Sequence, residues 1–158
     1  MSTPKRIFIT YGSGDLYRKS LRLISSEAKK LRLFDKIIVY RPQDMPDFIK
    51  SSPLKAYKRG NGYWVWKPWI IWDTLQKYPN AIVVYADGGC TLQPNYEEWE
   101  SWFQLLEQYD AIAFQYRPNV VYPWMKDGKS AATNIEWTKK ALLDFFEDLS
   151  GGGGDTPL

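Results

Sequence analysis

The sequence predicts an α/β domain built on an open, mostly parallel sheet with helices on its faces. Short runs rich in isoleucine, valine, phenylalanine and tyrosine alternate with stretches whose apolar residues recur at helical spacing. The length of 158 residues, with 44% hydrophobic and 25% charged residues, suits one folded domain with a single core.

The first forty residues predict one strand-helix-strand unit. A strand at residues 5–11 ends in a glycine-containing turn, and a helix follows from Tyr17 to about Leu33 with Asp15 as its N-terminal cap. The apolar face of this helix comprises Tyr17, Leu21, Ile24, Ala28 and Leu31, and its solvent-exposed face carries Arg18, Arg22, Lys29 and Lys30. A nearly continuous apolar run at 35–40 predicts a second strand covered on both faces. Strands joined by such a crossover helix are expected to be parallel, with a right-handed connection.

The rest of the chain repeats the alternation. The later predicted elements are a proline-bearing loop at 41–58 with one helical turn at 47–50, a helix with Pro68 in its first turn that runs to Gln76, a strand at 81–86, a helix capped by Asn95, a strand at 111–116 and a helix that opens at 133–136. This order is typical of a Rossmann-like nucleotide-binding sheet. The predicted domain spans residues 1–149, and the glycine-rich residues 150–158 are predicted to form a flexible tail.

Composition excludes several kinds of chemistry. The chain has no histidine and one cysteine, Cys90, which excludes Ser-His and Cys-His catalysis, a histidine-ligated zinc site and an internal disulfide bond. The net charge of +3 is too mild to indicate a nucleic-acid partner, whereas a small anionic ligand is compatible with it. The N-terminus lacks a long apolar stretch, so we expect a cytoplasmic protein without an integral membrane segment, with peripheral attachment to an inner membrane as the alternative.

Two turns follow predicted strands at the edge where open α/β sheets bind ligands. The first contains Thr10, Tyr11 and Gly12, and its amides and following helix could receive a nucleotide or a phosphate. Its glycines match neither a dinucleotide fingerprint nor a P-loop, so an ordinary strand-to-helix turn is an equal alternative. The second contains Asp87, followed by Gly88 and Gly89. It is either a plain turn or a place where one carboxylate and a ligand's phosphate oxygens share a divalent cation.

The segment from residue 59 to residue 72 is rich in aromatic residues, and two cations, Arg59 and Lys67, flank its densest part. Packing of Trp66, Trp69 and Trp72 on the sheet explains most of the aromatic residues. A cation in aromatic surroundings needs an anionic partner, and a diphosphate is one such partner.

These residues also carry a resemblance. The run Arg59-Gly60-Asn61-Gly62-Tyr63-Trp64-Val65-Trp66-Lys67-Pro68, followed by Tyr85-Ala86-Asp87-Gly88-Gly89-Cys90, resembles a group of mostly bacterial glycosyltransferases of the GT-A fold that act in polysaccharide and glycan biosynthesis. Three shorter pieces agree with that group: Thr10-Tyr11-Gly12, Phe34-Asp35 and Glu136-Trp137-Thr138-Lys139.

The resemblance implies a nucleoside diphosphate sugar as donor and a glycan hydroxyl as acceptor. It implies that Asp87 bridges through Mn²⁺ or Mg²⁺ to the diphosphate, beside Gly88 and Gly89, and that Lys67 and Arg59 offset the charge of the leaving group. By the same resemblance Thr10, Tyr11 and Gly12 lie near the nucleoside. For a general base it offers only Asp127 or Glu136, by position.

The chain departs from the resemblance in two ways. Gly89 stands where the wider fold has a second aspartate, which lowers the expected strength of metal binding. The relatives also continue into a C-terminal part that supplies histidine and acidic residues near the acceptor, so we expect weak or absent turnover by this chain alone, and self-association as a homo-oligomer. The alternatives are a non-catalytic truncated homologue that binds a nucleotide sugar or a glycan, and a plain nucleotide- or phosphate-binding protein.

Overall fold

The computed structural model describes residues 3–112 of the chain, apart from the side chain of Tyr63. All but the last two of these residues belong to one compact unit, Met1–Asp110. The helix predicted to open at 133–136, the glycine-rich tail at 150–158 and most of the strand predicted at 111–116 lie outside the described residues.

The sheet has three described strands, which confirms the prediction of an open parallel sheet at this level. They are β1 (Arg6–Tyr11), β2 (Lys36–Tyr40) and β3 (Ile82–Tyr85), arranged in the order β2-β1-β3 with both pairs parallel. The carboxyl ends of the three strands therefore meet at one edge, and a tyrosine is the last residue of each strand.

Helices flank this sheet, so the protein has a mixed α/β architecture. The described helices are α1 (Arg18–Leu31), α2 (Asp47–Lys50), the single turn α3 (Gly60–Tyr63), α4 (Trp66–Lys77) and α5 (Tyr96–Leu105). The predicted helical turn at 47–50 is confirmed. Three short 3₁₀ turns, which the sequence did not indicate, lie at Asp15–Tyr17, Pro42–Asp44 and Pro53–Ala56. None of the helices in residues 3–112 combines the length and the apolar character needed to cross a bilayer.

The core lies on both faces of β1, because successive side chains of a strand point to opposite sides. Ile7 and Ile9 pack with Ile70 of α4 on one face. On the other face Phe8 packs with Ile24 of α1, and α5 joins α1 there through a second cluster. Phe8 is fully buried, so burying its ring contributes about 3 kcal/mol to folding.

Local packing changes three of the predicted details. The 3₁₀ turn delays the start of α1 to Arg18, so Asp15 pairs with Arg18 instead of capping the helix, and Tyr17 is 45% exposed. The middle of β2 is only partly buried, because β2 is an outer strand among the described ones. Trp72 is 57% exposed on α4 rather than packed on the sheet. The predicted cap of α5 is confirmed, since Asn95 accepts a hydrogen bond from the Glu98 amide at 3.3 Å.

A two-pronged ion pair ties β1 to α5. The Arg6 guanidinium donates to both carboxylate oxygens of Glu100, at 2.6 and 2.7 Å, and lies over the Phe103 ring. The hydrogen bond from Arg6 lowers the pKa of the Glu100 carboxyl below its ordinary value of 4.5. A carboxyl whose pKa is lowered on folding contributes stability above its unfolded pKa, and that stability is lost as pH falls through the folded pKa.

We therefore expect Glu100→Gln to lower the free energy of unfolding at pH 7 by at most about 1 kcal/mol, because Glu100 is 44% exposed to solvent. The difference between the variant and the natural chain should shrink between pH 7 and about pH 3, because the Glu100 carboxyl takes up a proton as pH falls through its lowered pKa. Urea unfolding at the two pH values measures it. An equal difference at both would show that the carboxylate charge does not stabilise the fold.

Candidate functional site

The three tyrosines that end the strands are each tied to a polar side chain. The hydrogen bonds join Tyr11 to Asn61, Tyr40 to Asp73 and Tyr85 to Asp87. Burial raises the pKa of the Tyr11 hydroxyl, raises that of Tyr40 to about 12 and also raises that of Tyr85. Neighbouring carboxylates add to the shift at Tyr40 and Tyr85, from Asp73 and Asp87 respectively. All three phenols therefore stay protonated near neutral pH and add no negative charge to the strand ends.

Lys67 and Asp87 meet at this edge. The Lys67 ammonium, in the first turn of α4, lies 3.2 Å from Asp87 Oδ1 and 3.4 Å from Oδ2, just beyond the end of β3. The same ammonium lies 5.0 Å from the centre of the Tyr85 ring. The side chains of Lys67 and Asp87 are 33% and 54% exposed, so both can be reached from solvent. The structure thus places side by side two candidate site residues that lie 20 positions apart in the sequence.

The turn after β3 packs close against the end of β1. The Cys90 amide donates to the Asp87 carbonyl oxygen at 2.9 Å, which closes the turn, and Cys90 is exposed. A β-carbon at Gly88 would lie 3.0 Å from Leu21 Cδ2 and 3.2 Å from the Tyr11 carbonyl oxygen, whereas one at Gly89 would meet nothing within 4 Å. Gly88 therefore lets the turn sit close against the end of β1, and the space at the Gly89 β-carbon position is open.

The turn after β1 offers less to a ligand than the sequence indicates. Thr10 is fully buried on the α1 side of the sheet, so its side chain cannot contact a ligand in this structure. The Gly12 amide donates to the Tyr40 carbonyl oxygen at 3.4 Å, and a β-carbon at Gly12 would lie 2.4 Å from Leu21 Cδ1. The Tyr11 side chain is also buried. All three predicted residues are buried, so even the Thr10 hydroxyl, which has no hydrogen-bond partner among the described residues, is not open to a ligand.

Arg59 lies outside the contacts that join Lys67 and Asp87. Its guanidinium carbon lies 5.7 Å from the centre of the Trp64 ring, and the side chain is exposed. Among the residues the structure describes, Arg59 forms no ion pair with Asp87. The structure therefore places Lys67, and not Arg59, in contact with Asp87, and the predicted shared role of the two cations at a diphosphate stays a prediction.

Sequence reasoning missed Asn61, which connects this aromatic segment to β1. Its amide donates to the Tyr11 hydroxyl at 2.6 Å and accepts from Lys55 at 3.0 Å. Asn61 has a φ of 51°, between Gly60 and Gly62, whose φ values are also positive. An asparagine between two glycines is a signal for such a left-handed turn, because these residues enter that region most readily.

Trp66 anchors the same segment from the α4 side. Its ring stacks on Tyr11, with centroids 3.9 Å apart and planes inclined by 24°, and its indole N–H donates to the Gly60 carbonyl oxygen at 3.0 Å. Trp66 is 5% exposed, as its predicted packing role requires. The indole thus fixes the start of α4, from which Lys67 projects.

The donor set at Asp87 fits a divalent cation only in part. Residues 3–112 contain no group of three or more histidine, cysteine, aspartate or glutamate side chains arranged to hold a metal ion. Asp87 thus offers one carboxylate, beside an ammonium that would repel a cation. Magnesium-type ions are often held by one or two carboxylates together with a ligand's phosphates, and Asp87 fits that mode rather than a site complete without ligand.

No protein-family model matches the chain, and no similar protein or solved structure was found among the curated proteins and solved structures with which it was compared.

Proposed function

We propose that the chain is a GT-A-like glycosyltransferase, or the donor-binding part of one, that takes a nucleoside diphosphate sugar and transfers the sugar to a glycan hydroxyl. The single observation that supports this most is the accessible Lys67–Asp87 pair at the carboxyl edge of a parallel sheet, with open space at Gly89. Ligands of open α/β sheets bind at this edge. We place the reaction in the cytoplasm or at the inner face of a membrane.

The charges at the pair explain why a diphosphate suits it. A diphosphate that approached Asp87 alone would be repelled, so a cation has to lie between the two anions. Lys67 supplies one positive charge within 3.2 Å of the carboxylate, and its side chain can rotate towards a phosphate oxygen. When bound, Mn²⁺ or Mg²⁺ would add Lewis-acid stabilisation of the diphosphate, with Asp87 as its protein ligand.

The chemistry assigned to the chain's own residues is charge stabilisation. In the transfer, the bond between the sugar's anomeric carbon and the diphosphate oxygen breaks, and the diphosphate leaves with the electron pair. The acceptor oxygen forms the new bond and gives its proton to the departing diphosphate or to solvent. Lys67 stabilises the negative charge that grows on the departing diphosphate, which is the kind of interaction that contributes most to such catalysis.

A panel of nucleotide sugars, incubated with the full chain with and without Mn²⁺, tests the proposal. Release of nucleoside diphosphate, or transfer to an added glycan, supports a glycosyltransferase. Saturable binding without either supports the non-catalytic alternative, a module that holds a nucleotide sugar. Absence of binding by folded protein to every member of the panel rejects both.

Lys67→Ala should weaken binding of UDP by about 10- to 150-fold, the effect of losing a charged hydrogen bond of about 1.5–3 kcal/mol. Calorimetric titration in the presence of Mn²⁺ measures it. Lys77→Ala is the matched control, because Lys77 lies on the same helix and also pairs with an aspartate, Asp73, at 2.6 Å. Equal losses in the two variants would mean that Lys67 acts only through the net charge of the protein.

Arg59→Ala should change the same affinity less than twofold, because its described contact is the Trp64 ring. A loss as large as that of Lys67→Ala would restore the assignment of both cations to the diphosphate.

A further inference from the structure

A basic groove on the α1 side of the sheet is separate from the Lys67–Asp87 pair. It has a volume of about 290 Å³. Its lining is Leu21, Arg22, Ser25, Ser26 and Lys29 from α1, with Val39 and Arg41 from the end of β2. The residues at 22, 25, 26 and 29 form one stripe along α1, since positions three, four and seven apart share a helix face.

Every charged residue that lines this groove is a cation. Arg22, Lys29 and Arg41 line it, and no aspartate or glutamate does. None of these three cations forms an ion pair with any residue of the described range. The Asp44 carboxylate accepts a hydrogen bond from the Arg41 backbone amide at 2.7 Å and offsets part of this charge. The lining still carries an excess of positive charge, so an anion in the groove would be favoured.

The polar groups of the groove suit a phosphate. Two of the lining residues, Arg22 and Arg41, carry guanidinium groups, whose forked donors suit phosphate oxygens, and Lys29 adds an ammonium. The Ser26 hydroxyl has no hydrogen bond to a residue of the described part of the chain, whereas the Ser25 hydroxyl donates to the Leu21 carbonyl oxygen at 2.6 Å. Leu21 and Val39 contribute apolar surface to the lining.

We propose that this groove binds a phosphate group, carried either by a small phosphate ester or by the headgroup of an anionic lipid. It lies against α1, whereas Lys67 lies on α4, which packs on the opposite face of β1. The groove is therefore a second anion site that does not depend on the proposed transfer reaction.

Titration of the full chain with inorganic phosphate, followed by amide chemical shifts, tests the proposal. Saturable binding should weaken at least about fivefold in Lys29→Gln and in Arg41→Gln, the loss of a partly exposed charge interaction. Lys30→Gln is the matched control, since Lys30 is adjacent, exposed and outside the lining. Its affinity should stay within twofold of that of the natural chain.

Flotation with vesicles distinguishes the two sources of phosphate. Binding to phosphatidylcholine vesicles that contain phosphatidic acid, but not to phosphatidylcholine alone, assigns the groove to a lipid headgroup if Lys29→Gln reduces it. Binding of free phosphate without vesicle binding assigns it to a soluble ester. The proposal is overturned if the natural chain binds neither, if Lys30→Gln loses as much affinity as Lys29→Gln, or if Lys67→Gln alone abolishes phosphate binding.

Discussion

Replacement of Asp87 by asparagine is expected to lower the affinity for UDP in the presence of Mn²⁺ by about 10- to 150-fold, as for the loss of a charged interaction of about 1.5–3 kcal/mol. The substitution keeps the shape of the side chain and removes the charge that a divalent cation needs. Stability should change by less than about 1 kcal/mol, because the Lys67–Asp87 pair is exposed. Calorimetric titration with UDP, with and without a chelator, measures the effect.

Titration in the presence of a chelator shows what the Asp87 charge does when no divalent cation is bound. Without a divalent cation the Asp87 carboxylate only repels a diphosphate and holds Lys67 away from it, so Asp87→Asn should then bind UDP as tightly as the natural chain or more tightly. Asp47→Asn is the control, because Asp47 is a fully exposed aspartate on α2. Metal-dependent binding that survives Asp87→Asn unchanged would make Asp87 a residue of the turn and nothing more.

Trp66→Ala is expected to lower the free energy of unfolding by about 3–5 kcal/mol, the usual cost of removing a buried tryptophan. The substitution removes the stack on Tyr11 and the hydrogen bond to the Gly60 carbonyl oxygen, and it leaves a cavity between α4 and β1. Urea unfolding followed by circular dichroism measures the loss. The left-handed turn at Asn61 should also loosen, because Trp66 fixes one side of it.

Two further variants separate the causes. Trp72→Ala removes the same side chain from the same helix at a position that is 57% exposed, and it should cost less than about 1 kcal/mol. Trp66→Phe keeps an aromatic ring beside Tyr11 and loses the hydrogen bond to Gly60, so it should cost less than Trp66→Ala and still fold. Equal costs for Trp66→Ala and Trp72→Ala would contradict the packing described for α4.

Repeating apolar patterns made the parallel sheet predictable. The strands at 6–11, 36–40 and 82–85 each show a dense apolar run, and the helices between them show a helical period, so element type and order follow from local sequence. The exposure of Tyr17 and Trp72 could not be predicted from local sequence. The helical period places a residue on the apolar face, but it does not tell whether the residue lies at the buried centre of that face or at its exposed margin. Tertiary contacts decide between them.

The individual residues of the candidate site were predictable from the sequence, but the contacts between them were not. Asp87 was identified by its place after a strand, and Lys67 by its aromatic surroundings, yet their contact spans twenty residues of sequence and depends on how α4 packs on β3. The bond from Tyr85 to Asp87 had a signal that could have found it, since residues two apart on extended chain share a face. Burial of Thr10 depends on which face of β1 it occupies, which the turn motif does not specify.

Leu21 packs against both turns at the carboxyl edge of the sheet. A β-carbon would lie 2.4 Å from Leu21 Cδ1 at position 12 and 3.0 Å from Leu21 Cδ2 at position 88, and Leu21 also lines the basic groove. A side chain at position 12 therefore needs a shorter residue at position 21. A side chain at position 88 would also lie 3.2 Å from the Tyr11 carbonyl oxygen, which a change at position 21 does not remove. Substitution at position 12 is thus coupled to position 21, whereas position 88 is constrained by the backbone of β1 as well.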